Sequence, residues 1–114
     1  MRVSHIVFDV NDIDGTPAFW AAVLDLKETT RSPDWVDLEP VNEGGPVLSF
    51  QLVPEGKVVK NRLHLHVAAP DVPAARKTLA QLRASEASPL RDGRGGPWQI
   101  WRDPEGNELC LVTG

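Results

Sequence analysis

The chain is built on a repeat. His5 and His64, Asp12 and Asp71, and Gln51 and Cys110 are each separated by the same 59 residues, and the pattern around the first member of each pair returns around the second. Residues 2–10 alternate, with Ile6, Phe8 and Val10 on one side and His5, Val7 and Asp9 on the other, which is the period of a strand. Thr16 as N-cap and Pro17 at the first turn predict a helix carrying Phe19, Trp20, Val23 and Leu24 on one stripe and ending near Asp25. Strand-like stretches follow at 26–30, 35–39 and 47–53, divided by Ser32-Pro33 and by the turn Glu43-Gly44-Gly45-Pro46. After the polar connector 54–61, PEGKVVKN, the order restarts. Leu63, Leu65 and Val67 alternate with His64, His66 and Ala68; Asp71 caps a helix striped by Val72, Ala75, Leu79 and Leu82; strands are predicted at 88–90, 98–102 and 108–113. Two βαβββ modules, 1–53 and 62–114, therefore share one domain-sized chain of 114 residues, and their sheets are expected to pair about a pseudo-twofold axis.

Composition excludes several function classes. Hydrophobic residues at 41% and charged residues at 25% are those of a soluble globular domain. Twelve Lys and Arg against sixteen Asp and Glu leave a net charge of −4, with no basic surplus for nucleic acid. The opening MRVSHIVFDVND lacks a signal-peptide core, and no run of about eighteen apolar residues occurs, so a membrane partner is not expected and the cytoplasm is. Cys110 is the only cysteine, which rules out an internal disulfide and a cysteine-based zinc knuckle and fits a reducing compartment. Any metal would be held by imidazole and oxygen donors, with Cys110 at most assisting.

If each apolar strand row packs under its helix, then His5, Ser49, Gln51, His64, His66, Glu108 and Cys110 lie on the other face of the sheet. Four Trp and no Tyr are present. Trp20 belongs to the helical stripe and so to the core. Trp98 and Trp101 fall on opposite strand faces, so one is expected in a pocket while the other packs, and Trp35 also flanks the same region. The stretch 91–97, RDGRGGP, has no GK[ST] and opens no helix, so it reads as a flexible rim and not as a phosphate loop.

The βαβββ-βαβββ order, the His that opens each module (HIVFDVND and HLHVAAPD), the Phe-Trp of the first helix and the C-terminal DPEGNELCLV together resemble the vicinal oxygen chelate superfamily. FQLVPEGKVVKNRLHLHV followed by WQIWRDPEGNELCLV resembles its small glyoxalase-like domains, and the resemblance covers nearly the whole chain. It implies an α+β fold in which two βαβββ modules form a U-shaped eight-stranded mixed sheet around a cleft, usually in a homodimer. It also implies a ligand set. The strand positions that bind metal in the family correspond to His5, Gln51, His64 and Cys110; the last is Glu in most members, four residues after the Gly of the DPxGN turn. Glu108 lies two residues earlier, about 6–7 Å along the strand, too far to replace it.

Two uses of this set stay open. His5, Gln51, His64 and Cys110 hold a divalent metal, zinc being most compatible with two imidazoles and a thiolate, or they line the cleft floor as hydrogen-bonding and apolar groups. His66, Trp98, Trp101 and Glu108 are the expected ligand contacts. The implied function is binding of a small organic molecule, with a metal-assisted lyase or isomerase as one form and non-catalytic sequestration, as in the drug-resistance members, as the other. Ordinary lactoylglutathione lyase activity is expected to be negligible, because a general base contributes about 10² to 10⁴ in rate and the family's metal-bound carboxylate is missing.

Overall fold

The computed structural model describes residues 1–114 as two units, Met1–Gly56 and Lys57–Gly114, each a sheet with one helix. In the first, β1 (His5–Val10) runs parallel to β4 (Val47–Leu52), and β2 (Glu28–Ser32) and β3 (Trp35–Pro40) complete the order β1-β4-β3-β2. The parallel pair requires a crossover, which begins with α1 (Gly15–Leu24). The alternation read from the sequence decides what packs beneath it. Phe8 meets Trp20 edge to face at 5.0 Å and Phe50 at 5.5 Å, and Val36, Leu38 and Leu48 are buried around them. Each such large side chain contributes about 1.5–3 kcal/mol on burial.

Two boundaries differ from expectation. The helix begins before Thr16, which is buried in its first turn and does not cap it. The carboxylate of Asp12, three residues ahead of the first helical residue, accepts the backbone N–H groups of Asp14 (3.1 Å) and Gly15 (2.8 Å). At the other end Asp25 adopts the left-handed conformation (φ 52°), and Leu26 N–H returns to Ala21 O. Leu26 is thereby used up by the helix end, so β2 starts at Glu28 and not at Leu26.

In the second unit β5 (Leu65–Ala69) runs parallel to β9 (Glu108–Thr113), followed by β8 (Gly96–Arg102) and β6 (Ser85–Glu86). The helix α2 (Val72–Gln81) is capped as predicted, with the Asp71 carboxylate accepting from Ala74 N–H at 3.0 Å. Its Val72 and Leu79 bury against the face that carries Trp101, Leu109 and Leu111. The strand predicted at 88–90 is absent. Ser88 Oγ accepts from Ile100 N–H (3.0 Å) where a backbone carbonyl would in a ladder, and Pro89 has no N–H to give. The sixth strand is therefore divided, and β7 (Arg91–Gly93) resumes beyond the break, so the chain has nine strands in a four- and a five-stranded sheet, not eight.

The rim expected to be flexible is a β-hairpin. Arg91 pairs with Trp98, Asp92 with Pro97 and Gly93 with Gly96 around a two-residue turn, and Gly96 takes φ +107°, which side chains rarely adopt. The DPEGN stretch is a second tight turn. Buried Asp103 accepts the N–H groups of Glu105 and Asn107, each at 2.9 Å, and Gly106 supplies φ +89°. No helix is long and apolar enough to cross a membrane.

Candidate functional site

On the face of the second sheet turned away from α2, a cavity of about 480 Å³ opens between the strands and the β7–β8 hairpin. Strand alternation brings its groups together. Cys110 lies across from His66 on β5 and from Ile100 on β8, and Val112 is the next residue of β9 on that face. His64 immediately precedes β5, and its ring stacks on that of His66 with centroids 5.3 Å apart and planes inclined by 27°. Trp98 forms a wall. The Arg91 guanidinium sits 5.8 Å from its ring centroid, and Gly93 lets the hairpin backbone approach so closely that a Cβ there would lie 3.0 Å from the indole. Arg94, Gly95 and Gly96 complete the rim.

The chemistry of the lining is lopsided. No Asp or Glu is among the cavity residues, whereas two imidazoles and the Arg94 guanidinium are. Neither imidazole nor Arg94 has a hydrogen-bond or ion-pair partner within the chain, so their donors remain available. The Cys110 thiol is buried, and burial pushes its pKa up, so at neutral pH it is a small apolar group.

Of the residues picked out from the sequence, His64, His66, Trp98 and Cys110 line this cavity. Trp101 does not: it is only 3% exposed, on the α2 side, and its indole N–H donates to Gln99 Oε1 at 2.9 Å. A separation of three residues along a strand forces Trp98 and Trp101 to opposite faces, and Trp98 is the one on the cavity side. Glu108 is also outside the lining; its carboxylate sits 3.4 Å from Lys60 Nζ. The sequence reading missed Arg94 and the glycine-assisted hairpin that presents it. The signal was there in the Arg94-Gly95 pair between two short extended stretches, which suits a two-residue turn.

His5 and Gln51 are exposed in the first unit. The parallel register pairs His5 with Val47 and Gln51 with Asp9, so the two are four residue pairs apart, about 13 Å along the strands. Side chains stand roughly perpendicular to a sheet, so this register does not bring the His5 imidazole and the Gln51 amide together. No group of three or more His, Cys, Asp or Glu is placed to hold a metal ion. Within the first unit the register keeps His5 and Gln51 apart, and within the second His64 and Cys110 line one cavity.

A family model described as the glyoxalase-like domain matches residues 5–112. The chain belongs to the glyoxalase-like domain family. Solved structures agree in fold. A glyoxalase/bleomycin resistance protein/dioxygenase family enzyme from Burkholderia phytofirmans PsJN superposes with a TM-score of 0.79 at 17% identity, over 96% of each chain. The fosfomycin resistance protein FosX from Mesorhizobium loti gives 0.78 at 18% identity, over 99% of this chain and 92% of its own. A mutant FosX from Listeria monocytogenes, in complex with Mn(II) and 1S,2S-dihydroxypropylphosphonic acid, gives 0.81 at 17%, over 99% and 90%. At such identities the likeness carries the fold. No curated protein sequence matches the chain. This glyoxalase-like domain thus shares an α+β scaffold that hosts several chemistries, and its own site has to be read from its own residues.

Proposed function

We propose that this glyoxalase-like domain binds a small organic molecule in the cavity of its second unit and holds it without turning it over. The observation that carries this reading is the lining: an apolar floor of Ile100, Cys110 and Val112, an indole wall at Trp98, and unpartnered donors from His64 and His66. That is the composition of a binding pocket, mostly apolar with a few polar anchors. A proton-abstracting lyase or isomerase would need a base held in position; the cavity holds no carboxylate, its thiol is held protonated by burial, and neither imidazole is oriented by a hydrogen bond.

A second reading, a metal-assisted lyase or isomerase using zinc, is favoured by one observation, the Mn(II) in the complex of the Listeria FosX neighbour. The spacing of His5 and Gln51 weighs against it. The domain is further proposed to work as a homodimer in the cytoplasm. Exposed Val58, Val59 and Leu63 form apolar surface that a second copy would cover, and a lone free cysteine suits a reducing compartment. Light scattering at twice the chain mass is the expected result.

Ligand screening by NMR tests the main reading. Bound compounds should shift the resonances of His64, His66 and Trp98, in metal-free and zinc-supplemented protein alike, and Trp98→Leu should abolish the effect while His5→Ala leaves it intact. Hits that map outside the cavity, that need zinc, or that are chemically converted would overturn it.

A further inference from the structure

The charge pattern of the cavity goes further than its volume. The chain carries four more acids than bases, yet none of its sixteen carboxylates lines the cavity, while a guanidinium and two imidazoles do. Arg94 stands on the turn of the β7–β8 hairpin with no carboxylate of the chain paired to it, although Arg31 holds two and Arg76 one at 2.6–2.8 Å. The imidazoles are stacked on each other, so their ring nitrogens are left without protein partners, and each offers at least one N–H even when neutral. The remaining lining is mainly apolar and includes the Trp98 indole, Ile100 and Val112. Arg91 lies over that indole and Gly93 lets the hairpin backbone approach it closely.

We propose that the ligand class of this cavity is a planar organic anion, an aromatic or conjugated carboxylate, whose charged group is met by Arg94, His64 and His66 and whose ring lies on Trp98. The inference rests on the reading of the cavity as a binding site and adds the sign and shape of what it takes. A carboxylate gains charge-assisted hydrogen bonds from groups that the fold leaves free, which an uncharged ligand of the same shape does not. A cation is repelled by the same residues.

Calorimetry with two probes of one shape decides it. 2-Naphthoate should bind the wild-type protein at pH 7, and 2-naphthamide should bind at least tenfold more weakly. Arg94→Gln, on an exposed turn, should weaken the naphthoate about tenfold, the scale of one charge-assisted hydrogen bond at a partly open site, and leave the naphthamide unchanged. Trp98→Leu should weaken both. Equal affinity for the two probes, or an equal effect of Arg94→Gln on both, overturns the anion assignment and leaves the cavity as a binding site for neutral molecules. Failure of both probes, when NMR screening still places other compounds in the cavity, overturns the anion assignment alone. Screening hits that all lie elsewhere overturn both readings together.

Discussion

Gln99 shows how much one side chain carries here. It is 1% exposed, and its amide uses its full hydrogen-bonding capacity. Oε1 accepts from Arg76 Nε and from Trp101 Nε1, both at 2.9 Å, and Nε2 donates to Glu86 Oε1 at 2.8 Å and to Ser88 O at 2.9 Å. A fully satisfied polar group in a core is stable, but removing it strands its buried partners. Gln99→Leu should therefore destabilise the domain by about 2–3 kcal/mol, since the buried indole N–H and the Ser88 carbonyl lose their partners while Arg76 and Glu86 can turn to water; urea unfolding followed by Trp fluorescence measures it. Cys110 makes the opposite case, a reactive atom type made quiet by its surroundings. Because burial raises its pKa, the thiolate is scarce at neutral pH, and iodoacetamide should label Cys110 in the folded protein far more slowly than in urea. The identities of these residues were visible in the sequence, but their roles were not. Alternation put Gln99 and Trp101 on one face, yet a Gln on a strand reads as solvent-facing until its partners are known, and three of the four come from α2, β6 and the loop after it.

At the scale of elements, both helices and the outer course of the strands were legible, because a 3.6 or 2.0 period survives in the local sequence. What was lost were the places where hydrogen bonds from elsewhere replace the ladder: Ser88 and Pro89 dividing the sixth strand, Asp12 displacing Thr16 as the acceptor at the start of α1. The β7–β8 hairpin is the element on which the site depends, and its glycines are not equivalent. A Cβ on Gly96 would lie 2.6 Å from Thr113 Oγ1 at a φ of +107°, whereas one on Gly95 would meet nothing within 4 Å. Gly96→Ala should cost about 1–3 kcal/mol in unfolding free energy, disturb the Thr113 Oγ1 bond to Pro97 O (3.0 Å), and loosen the Trp98 wall, so ligand affinity falls with it. Gly95→Ala should leave stability within error. Amide hydrogen exchange across residues 91–98, compared between the two variants, reads the hairpin directly.

For the whole molecule, the 59-residue repeat predicted two like units and their sheet faces, but not their pairing. Asp9 lies across from Gln51 in one unit, while His66 lies across from Cys110 in the other; the repeat would have put Ala68 there. The parallel register is thus displaced by two residues between the units. A displacement of two keeps every side chain on its face, so the hydrophobic pattern is blind to it, and a ligand set transferred by position from a repeat inherits the error. The two units also differ in how each is tied by charge, and this makes the acid stability of the molecule predictable. In the first, Glu28 is bound to Arg31 at 2.6 Å, and that hydrogen bond lowers its pKa; in the second, Glu86 is lowered by hydrogen bonds from Gln99 and then Arg76. A carboxylate whose pKa is lower folded than unfolded stabilises the fold fully above the unfolded value, about 4.3, and loses that contribution as pH falls through the folded one. Unfolding free energy should accordingly hold steady from pH 7 to about 5 and decline below it. Glu28→Gln and Glu86→Gln should each lower stability at pH 7 and flatten the decline, and because the two carboxylates share no partner their effects should add in the double variant. Urea titrations at pH 3, 4, 5 and 7 on the four proteins check this, and parallel curves for wild type and double variant would show that the acid sensitivity resides in other groups.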